Sequence, residues 1–167
     1  MSIQVNVNTY IYSVTYLADN IIRSLQDIIR LSGLSPGNLA NSWDSVHRAM
    51  RTWLESKHLE KVVLEIYDPQ TDELVTRWDV EIVYGWDADS SRFWTDTDQL
   101  RYAILKAGVV PSKSKYEVSF TTKSGRPDVP GWGPGSLRST DKFIKQSLGT
   151  TLSHSGLDGA TSYYRKR

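Results

Sequence analysis

The sequence predicts an α+β domain: three helices packed on one face of a small antiparallel sheet, followed by a long irregular C-terminal segment. Three observations predict it. Two early stretches repeat their apolar residues every three or four positions, the helical period. The middle of the chain switches to strict alternation, the strand period. Residues 124–141, SGRPDVPGWGPGSLRSTD, hold three prolines and four glycines and favour neither element. Helices and strands that come in separate runs favour helices layered on an antiparallel sheet.

The first helix is written in Ile11, Val14, Ala18, Ile21, Leu25 and Ile28, with Ile22 and Ile29 widening the stripe. Asn8 or Thr9 can cap it, and Gly33 suits the left-handed residue past its end. So broad a stripe makes this helix the spine of the core. A second helix is expected from the Ser35-Pro36 start through Leu39, Trp43, Val46, Met50, Trp53 and Leu54 to about Ser56. KVVLEIYDP then alternates, with Val62, Leu64 and Ile66 on one face and Val63, Glu65 and Tyr67 on the other. DPQTDE is a turn. LVTRWDVEIVYGW returns with Trp78, Val80, Ile82 and Tyr84 on one face, which makes a hairpin whose Asp79–Glu81 face is expected to be wet. DADSSRFW reads as a polar loop. TDTDQLRYAILKAG is a third helix with Thr95 and Asp98 at capping-box spacing and Gly108 at its exit. SKYEVSFTTKS is a third strand, alternating Tyr116, Val118 and Phe120.

The 167 residues suffice for one domain with a sizeable core. No run approaches the roughly 18 apolar residues of a membrane span, and the N-terminus has no signal-peptide pattern. The absence of cysteine excludes a disulfide scaffold and thiolate chemistry, and points to the cytoplasm. Net charge is +1 but divided: residues 123–167 carry eight Lys and Arg against three Asp and Glu, and the first 122 carry twelve against sixteen. Such a basic tail fits nucleic acid, or folding back on its own acidic body or an acidic partner.

No catalytic constellation emerges. GPGS near Arg138 lacks the lysine and strand-to-helix setting of a phosphate loop. Asp87, Asp89, Ser91 and Asp98 approximate a calcium loop, but Arg92 stands where glycine belongs. His47, His58 and His154 have no metal-ligand spacing, and Glu65 with Glu81 across the hairpin is an ordinary strand-face pair. No cofactor, metal or enzymatic activity is expected. Trp43, Trp53 and Trp78 suit the core, and Trp86 and Trp94 are expected to clamp the acidic loop. Trp132 stands apart on the irregular segment, where a large aromatic serves as an anchor; stacking on nucleic-acid bases is the competing expectation.

The runs YIYSVTYLADNIIRSLQDIIRLSGL, KVVLEIYDPQTDELVTRWDVEIVYGW, FWTDTDQLRYAILKAG and GRPDVPGWGPGSLRSTDKFIKQSLG together resemble a bacterial HORMA-domain protein of the CBASS-type antiphage operons. The resemblance spans the whole chain, and implies one HORMA domain over 1–167 with a core at 1–122 and a C-terminal safety belt at 123–167. In that family the belt wraps a closure-motif peptide, which adds a strand to the sheet edge; the pairing is β-augmentation. Carried over, the edge strand would be Lys115, Tyr116, Glu117, Val118, Ser119, Phe120, Thr121 and Thr122. The belt would cross through Arg126, Pro127, Trp132 and Arg138, and Phe143 to Leu157, including Ile144 and Leu148, would redock on the hairpin side. The N-terminal segment, with Ile3, Val5 and Val7, is where an AAA+ remodelling ATPase would grip. The implied partners are the peptide, a CD-NTase cyclic-oligonucleotide synthase and that ATPase, with no membrane and no need of nucleic acid. The competing expectation is a basic-tailed module that senses phage DNA.

Overall fold

A computed structural model describes residues 9–89 and 92–167. Its spine is helix α1 (Tyr10–Leu31). Val14, Leu17, Ala18, Ile21, Ile22, Leu25, Ile28 and Ile29 are all buried along it, each large aliphatic chain worth roughly 1.5–3 kcal/mol. The Thr9 hydroxyl caps the start by accepting the Tyr12 N–H, and Gly33 follows the end in the left-handed region. Ile11, expected on the stripe, is 65% exposed, because nothing among the described residues covers the first turn there.

The expected second helix is two. Helix α2 (Gly37–Asn41) stops at Ser42 (φ −98°, ψ 8°), and helix α3 (Trp43–Glu55) begins after it. The run GNLANS is poor in helix formers, so the chain turns there at little cost. With α4 (Thr97–Ala107) the described residues hold four helices rather than three. The expected capping box at Thr95 and Asp98 is replaced by Asp96, whose carboxylate accepts the Gln99 N–H. Thr95 is unavailable as a cap because it ends a short strand paired with Leu152.

The strands are β1 (Leu59–Tyr67), β2 (Leu74–Tyr84), β3 (Phe93–Thr95), β4 (Lys115–Thr122), β5 (Phe143–His154) and β6 (Leu157–Lys166). They form one antiparallel sheet in the order β3-β5-β6-β2-β1-β4. The β5–β6 hairpin closes on Ser155 and Gly156, both at positive φ (53° and 83°), the geometry that two-residue hairpins favour. A Cβ on Gly156 would overlap the Gly85 carbonyl oxygen.

The helices cover the face carrying Val62, Leu64, Trp78 and Val80, where Trp78 stacks on Tyr163 at 4.6 Å. The β5–β6 hairpin is tied to α1 by a relay. Trp86 Nε1 donates to Ser13 Oγ (2.8 Å), which is also hydrogen-bonded to His154 Nδ1 at 2.7 Å. Trp86 also packs edge-on against Tyr10, whereas Trp94 is 44% exposed, so the two do not clamp the acidic loop.

The opposite face, with Asp79 and Glu81, was expected to be wet. Glu81 is exposed, but Glu65 is 1% and Asp79 2% exposed. Arg77 grips Asp79 with bonds of 2.7 and 2.8 Å, and Lys61 stands 3.7 Å away. Glu65 lies opposite Arg77 and not Glu81, which pairs with Lys61. What buries Glu65 is the segment between β4 and β5.

Candidate functional site

Strand β4 holds the outer place in the sheet. It pairs with β1 along one side, and among the described residues its other side is unpaired. An open edge offers a row of free N–H and C=O groups to any extended chain. Tyr116 fixes the strand against the helices: its hydroxyl donates to the Ser35 carbonyl (2.9 Å) and accepts the Leu39 N–H (3.2 Å).

Residues 123–142, the crossing segment, pass around that edge. The start of the segment is on the helix side. Pro127 O accepts Trp53 Nε1–H at 2.7 Å, and Val129 is buried. Trp132 lies against Phe120 (4.8 Å) and Trp53 (6.4 Å) and donates Nε1–H to the Ser45 carbonyl of α3 (3.3 Å). Six residues later the segment is on the other face. Arg138 bonds Glu65 of β1 through its backbone N–H (2.7 Å) and Nη1 (3.0 Å), and also reaches Glu117 (3.1 Å) and Asp72 (2.9 Å). Glu65 and Glu117 alternate with Leu64 and Val118, so they project away from the helices. The segment therefore straddles the open edge.

Between edge and segment lies a channel of 700 Å³, lined by residues 117–122 of β4, Trp53, Arg126 and residues 131–137. The glycines and prolines of GWGPG build the outer wall, because that wall must arch without regular backbone bonds. On the helix side the channel adjoins a 240 Å³ pocket formed by Leu39, Val46, Tyr116, Val118 and Trp132.

Arg138 is the most heavily paired residue of the segment. Its guanidinium also sits 3.7 Å from the Tyr67 ring centroid. Burial works against its charge, but the hydrogen bonds it donates to Asp72 and Glu117 and the charge of Glu65 outweigh that and hold its pKa above the usual arginine value. The segment's positive charge is here spent on three carboxylates of the body. Arg126 differs: its nearest carboxylate, at 3.6 Å, is Asp128 of the same segment.

Beyond the crossing, Phe143 is buried opposite Lys166, Ile144 is largely exposed opposite Arg165, and the Leu148 carbonyl accepts Gln99 Nε2–H at 2.8 Å. Strand β6 pairs with β2, so 143–166 adds to the side of the sheet opposite β4. Of the expected residues, Glu117 to Thr122, Arg126 and Trp132 line the channel, Tyr116 lines the adjoining pocket, Lys115, Pro127 and Arg138 line neither, and Phe143, Ile144 and Leu148 lie across the sheet. Ile3, Val5, Val7 and Ser91 fall outside the described residues. Sequence reasoning missed Glu65, the buried acid that receives the crossing segment; its only signal was an acid alternating within an otherwise apolar strand.

The sequence model of the family "Bacterial HORMA domain 2" matches residues 2–167. The chain belongs to this family. In fold, the HORMA domain is similar to a chain of a mitotic checkpoint complex, with a TM-score of 0.76 at 11% identity over 93% of this chain and 99% of that one. It is also similar to C. elegans HTP-2 bound to the HIM-3 closure motif, with a TM-score of 0.63 at 11% identity over 96% and 92% of the two chains. A third likeness is to the E. coli MS115-1 CdnC:HORMA-deltaN complex, with a TM-score of 0.62 at 11% identity over 99% and 94%. At such identities the likeness is one of fold. No curated protein matches the sequence. Among the described residues of this HORMA domain no helix is long and apolar enough to cross a membrane, and no three or more His, Asp or Glu gather as a metal site.

Proposed function

We propose that this HORMA domain is a non-enzymatic, peptide-binding conformational switch of the bacterial cytoplasm. Residues 123–167 act as a safety belt, and a closure-motif peptide from a partner lies in the channel, hydrogen-bonded to the open edge of β4. The closed form binds and activates a CD-NTase cyclic-oligonucleotide synthase in antiphage defence, and an AAA+ ATPase reopens it by way of the N-terminal segment that carries Ile3, Val5 and Val7. The observation that carries this reading is the straddled edge: a strand open on one side among the described residues, a 700 Å³ channel beside it, and a chain segment fastened on both faces of the sheet. An edge left open would invite aggregation unless something is meant to fill it. A peptide held there cannot leave until the belt detaches at one end, so release is slow and reversal calls for active disassembly. Support for the synthase as partner is the fold shared with the HORMA protein of the CdnC complex.

Limited proteolysis with mass spectrometry tests the belt. A peptide selected from a displayed random library should suppress cleavage between Gly131 and Gly135. Undiminished cleavage with a bound peptide would remove the belt reading. The nucleic-acid alternative makes a separate demand: DNA affinity that falls steeply with salt and is lost with Arg165, Lys166 and Arg167.

A further inference from the structure

We infer that Arg126 forms an acid-binding subsite of the channel, so that the captured peptide carries an Asp or Glu two residues from an apolar anchor. The inference rests on the peptide-binding reading above and names the chemistry of its ligand. Two ionisable side chains line the channel, Glu117 and Arg126. Glu117 is already paired with Arg138 at 3.1 Å. Arg126 has no carboxylate so close. Its guanidinium lies over the Trp53 ring, 5.1 Å from the centroid, and its Nη1 is buried without a hydrogen-bond acceptor. Asp128, 3.6 Å away, is beyond hydrogen-bond length, and its side chain stands fully in solvent, where screening leaves it a weak hold.

Arg126 thus brings to the channel wall a partly exposed guanidinium with no carboxylate within hydrogen-bond length, and an oxygen that arrives with the ligand would supply the missing acceptor. Position then sets the spacing. Arg126 rests on Trp53, which touches Phe120 at 5.5 Å, whereas the 240 Å³ pocket, where Leu39, Val46 and Trp132 supply apolar wall beside the polar Asn38, Ser42 and Ser45, lies next to Val118. Phe120 and Val118 are two residues apart on the same face of β4. A strand added alongside has the same two-residue period, so its helix-facing side chains meet the pocket and Arg126 in succession. One is apolar and the next but one is acidic.

A phage-displayed random heptapeptide library, selected on the wild-type protein and on R126Q, tests this. The expected wild-type pool is enriched in Asp or Glu at one position, two residues from an aliphatic or aromatic residue, and the R126Q pool loses that acid. A wild-type winner and its Asp→Asn or Glu→Gln version, measured by fluorescence polarisation, should differ by about tenfold or more on wild type and by under about twofold on R126Q. R126K, which keeps the charge but not the planar fork, should fall between. Wild-type binders with no preferred acid, or an equal loss on both proteins, would overturn the subsite and leave peptide capture standing. No binder to folded wild-type protein would remove the peptide reading and the subsite with it. The wild-type pool alone decides the case if R126Q does not fold.

Discussion

The crossing segment is fastened at two points six residues apart, and the two fastenings rely on different physics. At Trp132 the hold is aromatic contact with Phe120 and Trp53 plus one neutral hydrogen bond to α3. At Arg138 it is a guanidinium shared among three carboxylates, one of them, Glu65, almost wholly buried. Apolar contact has no directional demand and is indifferent to salt at low concentrations. A buried carboxylate, by contrast, tolerates no absence of its partner. The crossing segment is therefore adaptable at Trp132 and exacting at Arg138. That difference suits a wall which must accept a ligand of varying bulk and yet return to one register on the far face.

Loss of the exacting point should have the largest effect. R138A leaves Glu65 buried with its strongest partner removed, at a cost of about 3–5 kcal/mol. Amide hydrogen exchange should show residues 136–142 released while α1 stays protected. E65Q in the same protein should recover much of the loss, and a double-mutant cycle would measure how much. If R138A left exchange unchanged, the buried pair would not be what holds the crossing segment.

W132A comes next. Its side chain is only half-buried, so the expected cost is about 2 kcal/mol, below that of a fully buried tryptophan. The release should be confined to residues 127–134 and keep its size as salt rises, whereas an R138K variant should become more salt-sensitive. Equal salt response in the two variants would erase the distinction between the fastenings.

The smallest effect concerns the hairpin beyond the belt. Burial lowers the pKa of His154 below its ordinary 6.5, and its Nδ1 is hydrogen-bonded to the buried Ser13 hydroxyl. On acidification the unfolded chain takes up this proton first. The stability from His154 is thus complete above about pH 6.5 and declines as pH falls below it. Thermal melts of wild type and H154F across that range should converge toward acid if His154 is responsible, because the variant lacks the decline.

Much of the helix face was legible in the chain. The stripe of α1 and the alternation of β1, β2 and β4 stood out because burial on one side imposes a period that survives in the residues. The single second helix did not hold, since its period runs unbroken across Ser42 although the helix does not. Strands β5 and β6 went unrecognised for the opposite reason. Gln146, Ser147, Thr150, Thr151 and Ser153 are polar or β-branched without a clear alternation, and their pairing is specified by β2 and by the turn at Gly156.

Thus the sequence by itself determined a helical spine, an alternating sheet, an irregular segment too rich in proline and glycine to be either, and a tryptophan on it in need of a pocket. Each of these depends on interactions between near neighbours in the chain or on a repeat along it. Tertiary structure alone decided that Glu65 is a buried receptor and not a wet strand residue, that Arg138 meets it across the sheet, and that Arg126 faces a channel with nothing to bind. Those facts depend on residues 73 positions apart coming within 3 Å, and on which face of a sheet a segment crosses after rounding its edge. No local period encodes either.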